Sequence, residues 1–355
     1  MTAAGRPRGA AQTALRAADA ALGRDRLTVL AYHRIAAVDD GFPYAPELVS
    51  ASPDAFAAQL DWLGRNFTPI ALDDLLGLLL EGRRLPDRPA LITFDDGYAD
   101  NADAALPLLR ARGLPAVMFL ISTAPGSDLL PYWDEVASLL RRSPATRADL
   151  PGLGQVDLAA SDARAAARRA LTEWLKRLPV EARGRELAGV SEALGVEADP
   201  SPAPLFFGWE RIAELQAAGV ACQPHSATHP ILSALDDEAL MLEVEESARE
   251  LERRTGRAAA AFAYPNGEAG DYDERVVQAL RRARVRVAFT MRPGPVSLNA
   301  LRRDPYDVPR VNVRHGDGLD AFALKVAGLV RPVRRARALA RSLARRGRQA
   351  ASTSS

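Results

Sequence analysis

The chain has 355 residues, of which 48% are hydrophobic and 26% are charged, and its formal net charge is +1. This composition is ordinary for a globular protein, and the length suits one large domain with appendages or two small domains. The single cysteine, Cys222, excludes an internal disulfide and a cysteine metal cluster.

The N-terminal extension, residues 1–26, contains no continuous apolar run. We therefore expect neither a signal peptide nor export, and we expect a cytoplasmic protein. The most hydrophobic short run of the chain, 75–80, is far too short to span a bilayer, so we expect no transmembrane segment.

The C-terminal tail, 317–355, is basic at its end, because 331–355 carries eight arginines and no acidic residue. The segment 331–348 is either a solvated terminal helix or a basic amphipathic helix that lies on an anionic membrane surface at the inner face. The rest of the chain is acidic and shows no recognition motif, so we expect no nucleic-acid partner.

Seven short β-rich apolar runs recur along the chain, and helical patterns lie between them. The runs are LTVLAY (27–32), ALITF (90–94), AVMFLI (116–121), VACQ (220–223), AAFAY (260–264), VRVAFT (285–290) and VPRVNV (308–313). This alternation is typical of βα units around a parallel sheet or barrel. The sequence therefore predicts an α/β fold, and we place its domain at residues 27–316.

One stretch interrupts the alternation. Residues 123–207 contain no convincing core strand, and alanine, arginine and leucine dominate 161–195. We predict a helical insertion that forms a rim or a lid. We do not expect a separate domain, because the apolar content of the stretch is thin.

Every histidine of the chain, and one pair of neighbouring acids, falls at the end of a predicted strand. These residues are His33, Asp95, Asp96, His225, His229 and His315. In a βα barrel the C-terminal ends of the strands carry the chemistry. We therefore expect these side chains to converge at one mouth of the fold.

His225 and His229 are four residues apart, which places both on one face of a helical turn. Two imidazoles at this spacing suit a divalent metal, and zinc is the usual choice for nitrogen and oxygen ligands. A carboxylate from the Asp95–Asp96 pair supplies the third ligand, and the other carboxylate acts as a general base on water. The alternative is two capping or surface histidines.

The acid pair also has a structural interpretation. Asp95 or Asp96 would then cap the helix that starts near Ala99. Asp100 or Asn101 can fill that role equally well.

These motifs resemble the polysaccharide deacetylases of the NodB-homology type, carbohydrate esterase family 4. The family's first motif, TFDDG, stands at Thr93–Gly97, and its second, H-[ST]-x-x-H, stands at His225–His229. The resemblance runs from about 27 to 313. It implies a distorted (β/α)7 barrel with the helical insertion and the basic tail as additions, and metal-dependent de-N-acetylation of an N-acetylated glycan or glycan precursor.

The resemblance also implies roles for individual residues. Asp95 would be the general base, and Asp96, His225 and His229 would hold a divalent metal, with Zn²⁺ as the first choice and Co²⁺, Ni²⁺ or Fe²⁺ as alternatives. The substrate would be an N-acetylated saccharide.

The third family motif, R-x-P-[YF], aligns with Ala263–Asn266, where only the proline is retained. The Asn266 backbone N–H remains the candidate oxyanion donor, since that role needs no particular side chain. The missing arginine leaves Asp95 without its orienting cation. Arg310, in the last predicted strand, is our candidate for that role, and a plain structural arginine is the alternative.

The general acid of the family is a histidine, and two positions compete for it here. VLAYHRI around His33 resembles the branch that deacetylates poly-N-acetylglucosamine, in which the motif order is circularly permuted. His315 lies in a loop-like RHGDG context. We prefer His33 as the acid, with a core imidazole as the alternative reading of that residue.

Tyr264 and Trp133 are candidate substrate-binding aromatics, although Trp133 is equally suited to anchoring a helix. The same metal-binding residues would also serve an amidohydrolase acting on a small amide or ureide. A non-catalytic carbohydrate-binding relative is a third interpretation. Without an export signal, a lipid-linked or nucleotide-linked precursor is the expected form of a glycan substrate.

Overall fold

The structure is a computed structural model, and it describes residues 25–39, 41–197 and 204–329. Almost all of the predicted N-terminal extension, and the Arg-rich segment 331–348, lie outside the described residues. No helix among the described residues is long and apolar enough to cross a membrane.

Seven parallel strands form one sheet, and each contains the greater part of one predicted run. They are β1 (Arg26–Tyr32), β2 (Pro89–Phe94), β3 (Ala116–Leu120), β4 (Val220–Pro224), β5 (Ala261–Ala263), β6 (Val287–Pro293) and β7 (Val308–Asn312). Their order in the sheet is β5-β6-β7-β1-β2-β3-β4, which is the chain order cut between β4 and β5. The sheet is therefore a nearly closed barrel, which confirms the predicted distorted (β/α)7 fold.

Side chains bridge the cut between β4 and β5, where the described residues form no backbone ladder. The side-chain oxygen of Gln223 accepts a hydrogen bond from the Ala261 N–H at 2.8 Å. The ring Nδ1 of His225 lies 2.7 Å from the Ala263 carbonyl oxygen. Buried backbone groups must find partners, so these two contacts satisfy β5 where a neighbouring strand is missing.

The strands are buried on both faces, as parallel strands usually are. Alternate residues, among them Val29, Leu91 and Val308, gather in one cluster of strand side chains. The intervening residues belong to a second hydrophobic cluster, in which Ile92 is joined by Leu60 of the helix Pro53–Asn66. The period-two alternation places Arg310 on the same face of its strand as Val308, which is the barrel interior.

Twelve helices surround or extend the barrel. They are α1 (Pro53–Asn66), α2 (Leu72–Glu81), α3 (Leu106–Arg110), α4 (Tyr132–Arg142), α5 (Ser161–Lys176), α6 (Val180–Leu194), α7 (Ile212–Ala217), α8 (Asp237–Met241), α9 (Ser247–Thr255), α10 (Glu274–Arg282), α11 (Leu298–Arg303) and α12 (Leu319–Val326). These counts refer to the described residues. Short strands at Thr68–Pro69 and Val296–Ser297 pair with strands of the barrel sheet, whereas Arg34–Ile35 and Val49–Ala51 form a separate two-stranded sheet.

The insertion between β3 and β4 contains α4, α5 and α6, as its helical pattern predicted. It also contains a two-stranded antiparallel hairpin, Arg147–Leu150 with Gly154–Asp157. Its apolar side chains, including Leu139 and Leu171, form a hydrophobic cluster of their own. The apolar content that looked thin in the sequence is therefore sufficient to pack the three helices and the hairpin together.

Candidate active site

A cavity of about 340 Å³ lies at the C-terminal ends of the barrel strands. The barrel side of its lining includes His33, Asp95, Asp96, His225, His229, Tyr264, Asn266 and Met291. The insertion contributes Tyr132, Trp133, Arg168, Arg169, Thr172, Glu173 and Lys176. The structure thus brings together at one mouth the predicted residues other than His315, which is exposed, and Arg310, which lies behind Asp95.

Asp96, His225 and His229 form a three-residue cluster that suits a metal ion. The Oδ1 atom of Asp96 lies 3.6 Å from Nε2 of His225 and 3.7 Å from Nε2 of His229, and their ligand atoms all lie within 4.8 Å of one another. Asp96 Oδ1 is buried and has no hydrogen-bond partner. A buried carboxylate oxygen without a donor, facing two imidazole nitrogens, fits a cation held by these three groups.

The pKa shifts of the three residues also favour a bound cation. Burial and the neighbouring Asp95 carboxylate raise the pKa of Asp96 well above its ordinary value. A bare charge there is unfavourable, and a cation would offset it. Burial lowers the pKa of His225 to about 4 and that of His229 well below its ordinary value, so both rings are neutral, as ligation requires.

The contact between His225 and Ala263 fixes the orientation of the first imidazole. A carbonyl oxygen only accepts hydrogen bonds, so Nδ1 of His225 carries the proton and donates it to Ala263. The lone pair of Nε2 then faces Asp96. Such a second partner is the usual way in which a protein orients a metal-binding histidine.

The second motif is not the helical turn that the spacing predicted. Ser226 and His229 both adopt left-handed backbone conformations, with φ of 63° and 62°. The carboxylate of Glu243 holds the loop by accepting hydrogen bonds from the backbone N–H groups of Ala227 and Thr228, at 2.8 and 2.9 Å. The two imidazoles therefore converge because the loop that carries them is irregular and is held by hydrogen bonds to Glu243.

Backbone strain is concentrated at this mouth. Of the six described non-glycine residues with positive φ, four lie here: Asp96, Ser226, His229 and Asn266. Conformations of this kind cost free energy and persist where the surrounding structure requires them, often at functional sites. Strained backbone conformations, which are common at active sites, therefore occur at this cavity together with the titratable side chains.

Asp95 is held by Arg310, which is fully buried. Two guanidinium nitrogens of Arg310 donate to the two carboxylate oxygens of Asp95, each at 2.7 Å, and its Nε donates to the Thr290 carbonyl at 3.1 Å. Burial by itself would raise the pKa of Asp95, but the charge and the hydrogen bonds of Arg310 outweigh it and hold this pKa well below its ordinary value. Asp95 is therefore a fixed, ionised carboxylate.

His33 is the imidazole that lies beside this carboxylate. Its Nε2 is 3.9 Å from Asp95 Oδ2. Burial lowers the pKa of His33, and the charge of Asp95 only partly opposes this effect. His315 is exposed and does not line the cavity.

Asp100 and Asn101 hold the His33 segment in place and do not cap a helix. Asn101 donates a side-chain hydrogen bond to the His33 carbonyl, and Asp100 accepts from Nε of Arg34 and from the N–H of Ile35. The helical segment that begins at Asn101 has no side-chain cap from Asp100. Neither Asp100 nor Asn101 therefore takes the capping role, and the carboxylate of Asp95 is bonded to Arg310 instead. No signal in the sequence indicated the partners of Asp100 and Asn101.

Asn266 lies in a tight turn after β5. Among the described residues no main-chain acceptor is bonded to its backbone N–H. Gly267 follows with φ of 66°, and a Cβ there would lie 2.9 Å from the Met291 nitrogen, so only glycine fits. The turn keeps Asn266 at the edge of the mouth.

The two predicted substrate-binding aromatics are both in the cavity lining, and both already have protein partners. The hydroxyl of Tyr264 donates to the Tyr306 carbonyl, and its ring stacks on Tyr272 with centroids 4.1 Å apart. Trp133 lies edge-on to His229 with centroids 5.0 Å apart. Tyr264 therefore has no free hydroxyl for a ligand, whereas Trp133 packs directly against a metal-cluster histidine.

A buried hydrogen-bonded chain that the sequence did not reveal supports Trp133. Its Nε1 donates to the Tyr98 hydroxyl at 2.7 Å, and Tyr98 donates to Asp134 at 2.8 Å. The other oxygen of Asp134 accepts from the Ala45 N–H at 2.9 Å. This chain joins the insertion to the strand end that carries Asp95 and Asp96.

Comparison with known proteins identifies the family. The family model described as polysaccharide deacetylase matches residues 82–146 and 168–288. A curated relative, "Putative polysaccharide deacetylase YxkH" of Bacillus subtilis (strain 168), is 28% identical over 102 residues, which are 28% of this chain and 34% of the relative. The aligned part of the chain thus spans about a third of that relative.

Solved structures share the fold. The deacetylase PplD of Streptococcus pyogenes, in complex with acetate, matches with a TM-score of 0.56 and 16% identity over 85% of this chain and 99% of that one. IcaB from Ammonifex degensii matches with a TM-score of 0.53 and 19% identity over 85% and 97% of the two chains. From the match to more than half of its length, the chain belongs to the polysaccharide deacetylase family.

Proposed function

We propose that the protein uses a divalent metal ion to hydrolyse the acetamido group of an N-acetylated glycan or glycan precursor. The main support for this proposal is that two groups of residues lie next to each other at the barrel mouth. One is the Asp96–His225–His229 cluster, whose ligand atoms lie within 4.8 Å of one another. The other is Asp95, held ionised by Arg310.

Asp96, His225 and His229 would hold the ion, with Zn²⁺ as the first choice and Co²⁺, Ni²⁺ or Fe²⁺ as alternatives. When bound, such an ion polarises the amide carbonyl and lowers the pKa of a water molecule. The remaining steps belong to side chains and backbone of this chain.

Asp95 takes the proton from the attacking water, and Arg310 fixes the direction in which its carboxylate points. The backbone N–H of Asn266 donates to the oxygen on which negative charge develops. His33, beside Asp95, gives a proton to the departing amine. Each of these groups lies in the cavity lining or is bonded directly to a group that does.

The test measures acetate release from N-acetylglucosamine oligomers and lipid-linked precursors, and ring opening of a small cyclic ureide, each with and without a chelator. We expect release from the N-acetylated sugars, loss of release with the chelator, and recovery when a divalent metal is added back. Ring opening of the cyclic ureide without acetate release from any sugar would favour the small-amide amidohydrolase. Release that the chelator leaves unchanged would contradict the metal dependence.

We also propose that the Arg-rich segment 331–348 binds an anionic membrane surface, a proposal that rests on its composition alone. Deleting 331–355 should abolish binding to anionic vesicles at low salt, and high salt should do the same to the full chain. Unchanged vesicle binding after the deletion would remove the proposal.

A further inference from the structure

The outer wall of the active-site cavity is one face of helix α5, which the insertion places opposite the barrel mouth. Arg168, Thr172 and Lys176 follow each other at intervals of four residues, and all three line the cavity. Residues at this spacing share one face of a helix. Arg169 and Glu173 complete the contribution of this helix.

The charges on this wall do not cancel. Arg168 is paired with Glu47, at 2.5 Å. Arg169 and Lys176 form no ion pair with any carboxylate that the structure describes, and Glu173 is the one remaining acid of the α5 face. The wall therefore directs a net positive charge into the cavity.

The acids on the opposite side of the cavity do not neutralise this wall. Asp95 is bonded to the buried guanidinium of Arg310. Asp96 faces the two imidazoles of the metal cluster. Arg169 and Lys176 thus remain available to a ligand.

A neutral sugar gains little from two unpaired cations, and it would have to displace water from them when it enters. A phosphate or carboxylate would instead form charge-assisted hydrogen bonds, with the fork of Arg169 and the point charge of Lys176. The two residues are seven positions apart, roughly 10 Å along the helix axis. Both residues line the same cavity as Asp95, so an anionic group within this span would share the cavity with the sugar.

We propose that the substrate carries an anionic group, phosphate or carboxylate, close to the N-acetylated sugar, and that Arg169 and Lys176 bind this group. The inference rests on the proposed function, because it assigns the substrate class of the same cavity. It makes Arg169 and Lys176 specificity residues, separate from the residues that carry out the chemistry.

The test compares kcat/KM at low ionic strength for three substrates: a neutral N-acetylglucosamine oligomer, N-acetylglucosamine 1-phosphate and N-acetylmuramic acid. The phosphate and carboxylate arms distinguish the two sources of charge. We expect wild type to prefer one of the anionic sugars, and the double variant Arg169→Gln/Lys176→Gln to lose about tenfold on that sugar and less than about twofold on the neutral one. Arg177→Gln is the matched control, because Arg177 is exposed at the end of the same helix and does not line the cavity.

Equal losses of the double variant on neutral and anionic sugars, or a wild type that prefers the neutral oligomer, would overturn the inference. Calorimetric binding of N-acetylglucosamine 1-phosphate and of N-acetylglucosamine separates this outcome from failure of the proposed function. If no substrate releases acetate, salt-sensitive binding of the phosphate sugar that the double variant loses still supports the anion site. Equal binding of the two sugars by wild type would overturn it.

Discussion

The guanidinium of Arg310 faces the carboxylate of Asp95 through two hydrogen bonds of 2.7 Å, although 215 residues separate the two in the chain. Arg310 enters the barrel interior from β7, and Asp95 comes directly after β2. The family motif that usually supplies the orienting arginine has Ala263 at that position. The carbonyl of Ala263 instead accepts the hydrogen bond of His225.

Replacing Arg310 with methionine should lower kcat/KM by about 100-fold, within the range expected when a general base is impaired. Arg310 holds the pKa of Asp95 down, so its loss raises this pKa and moves the acid limb of the pH–rate profile to higher pH. Acetate release measured as a function of pH checks both effects. Arg314→Met, at an exposed position near the end of the same strand, serves as the control, and a profile that coincides with wild type in Arg310→Met would refute the assignment.

His33→Ala should reduce turnover severely while metal content stays near normal, because the imidazole lies beside Asp95 and outside the metal cluster. His315→Ala should retain full activity, since His315 is exposed and does not line the cavity. Steady-state kinetics and metal analysis on both variants decide between the two histidines. A fully active His33→Ala together with an inactive His315→Ala would reverse the choice of acid.

Tyr98→Phe should destabilise the fold by about 1–3 kcal/mol, because its hydroxyl bridges Trp133 and the buried carboxylate of Asp134. Urea denaturation measures the change in free energy of unfolding. In a double-mutant cycle with Asp134→Asn the two effects should be non-additive, because both variants alter the hydrogen bond between Tyr98 and Asp134. Additive effects would mean that the chain Trp133–Tyr98–Asp134 does not act as a unit.

Cys222 should be unreactive in the native protein at pH 8. Burial in β4 raises the pKa of its thiol to about 12, so almost no thiolate is present at that pH. Titration with a thiol reagent should detect no cysteine in the folded protein and one in urea. Rapid labelling without denaturant would show that β4 opens far more readily than a buried barrel strand should.

Some parts of this site follow from local sequence and others depend on tertiary packing. The seven apolar runs predict the strands, and TFDDG at a strand end places Asp95 and Asp96 at the mouth. The spacing of His225 and His229 predicts a shared metal, but it gives no information on the loop that Glu243 holds from the helical segment Leu242–Glu246. The partners of a buried arginine likewise depend on how the barrel closes. The sequence therefore made Arg310 a candidate for orienting Asp95 but could not show the contact.

The insertion shows the same limit. Its helical periodicity is visible in the sequence, and α4, α5 and α6 are present as expected. Which face of α5 lines the cavity depends on how the insertion packs over the barrel. Neither the basic wall nor the chain from Trp133 to Asp134 could therefore be predicted before the structure.

The most direct test of the account measures bound metal and acetate release on the same samples of wild type, Asp95→Asn and His225→Ala. We expect Asp95→Asn to keep the metal content of wild type and to release no acetate, because the proposed base lies outside the metal cluster. His225→Ala should lose both the metal and the activity. An active Asp95→Asn, or a His225→Ala that retains its metal, would contradict the central claim that one cluster binds the ion and a separate carboxylate activates the water.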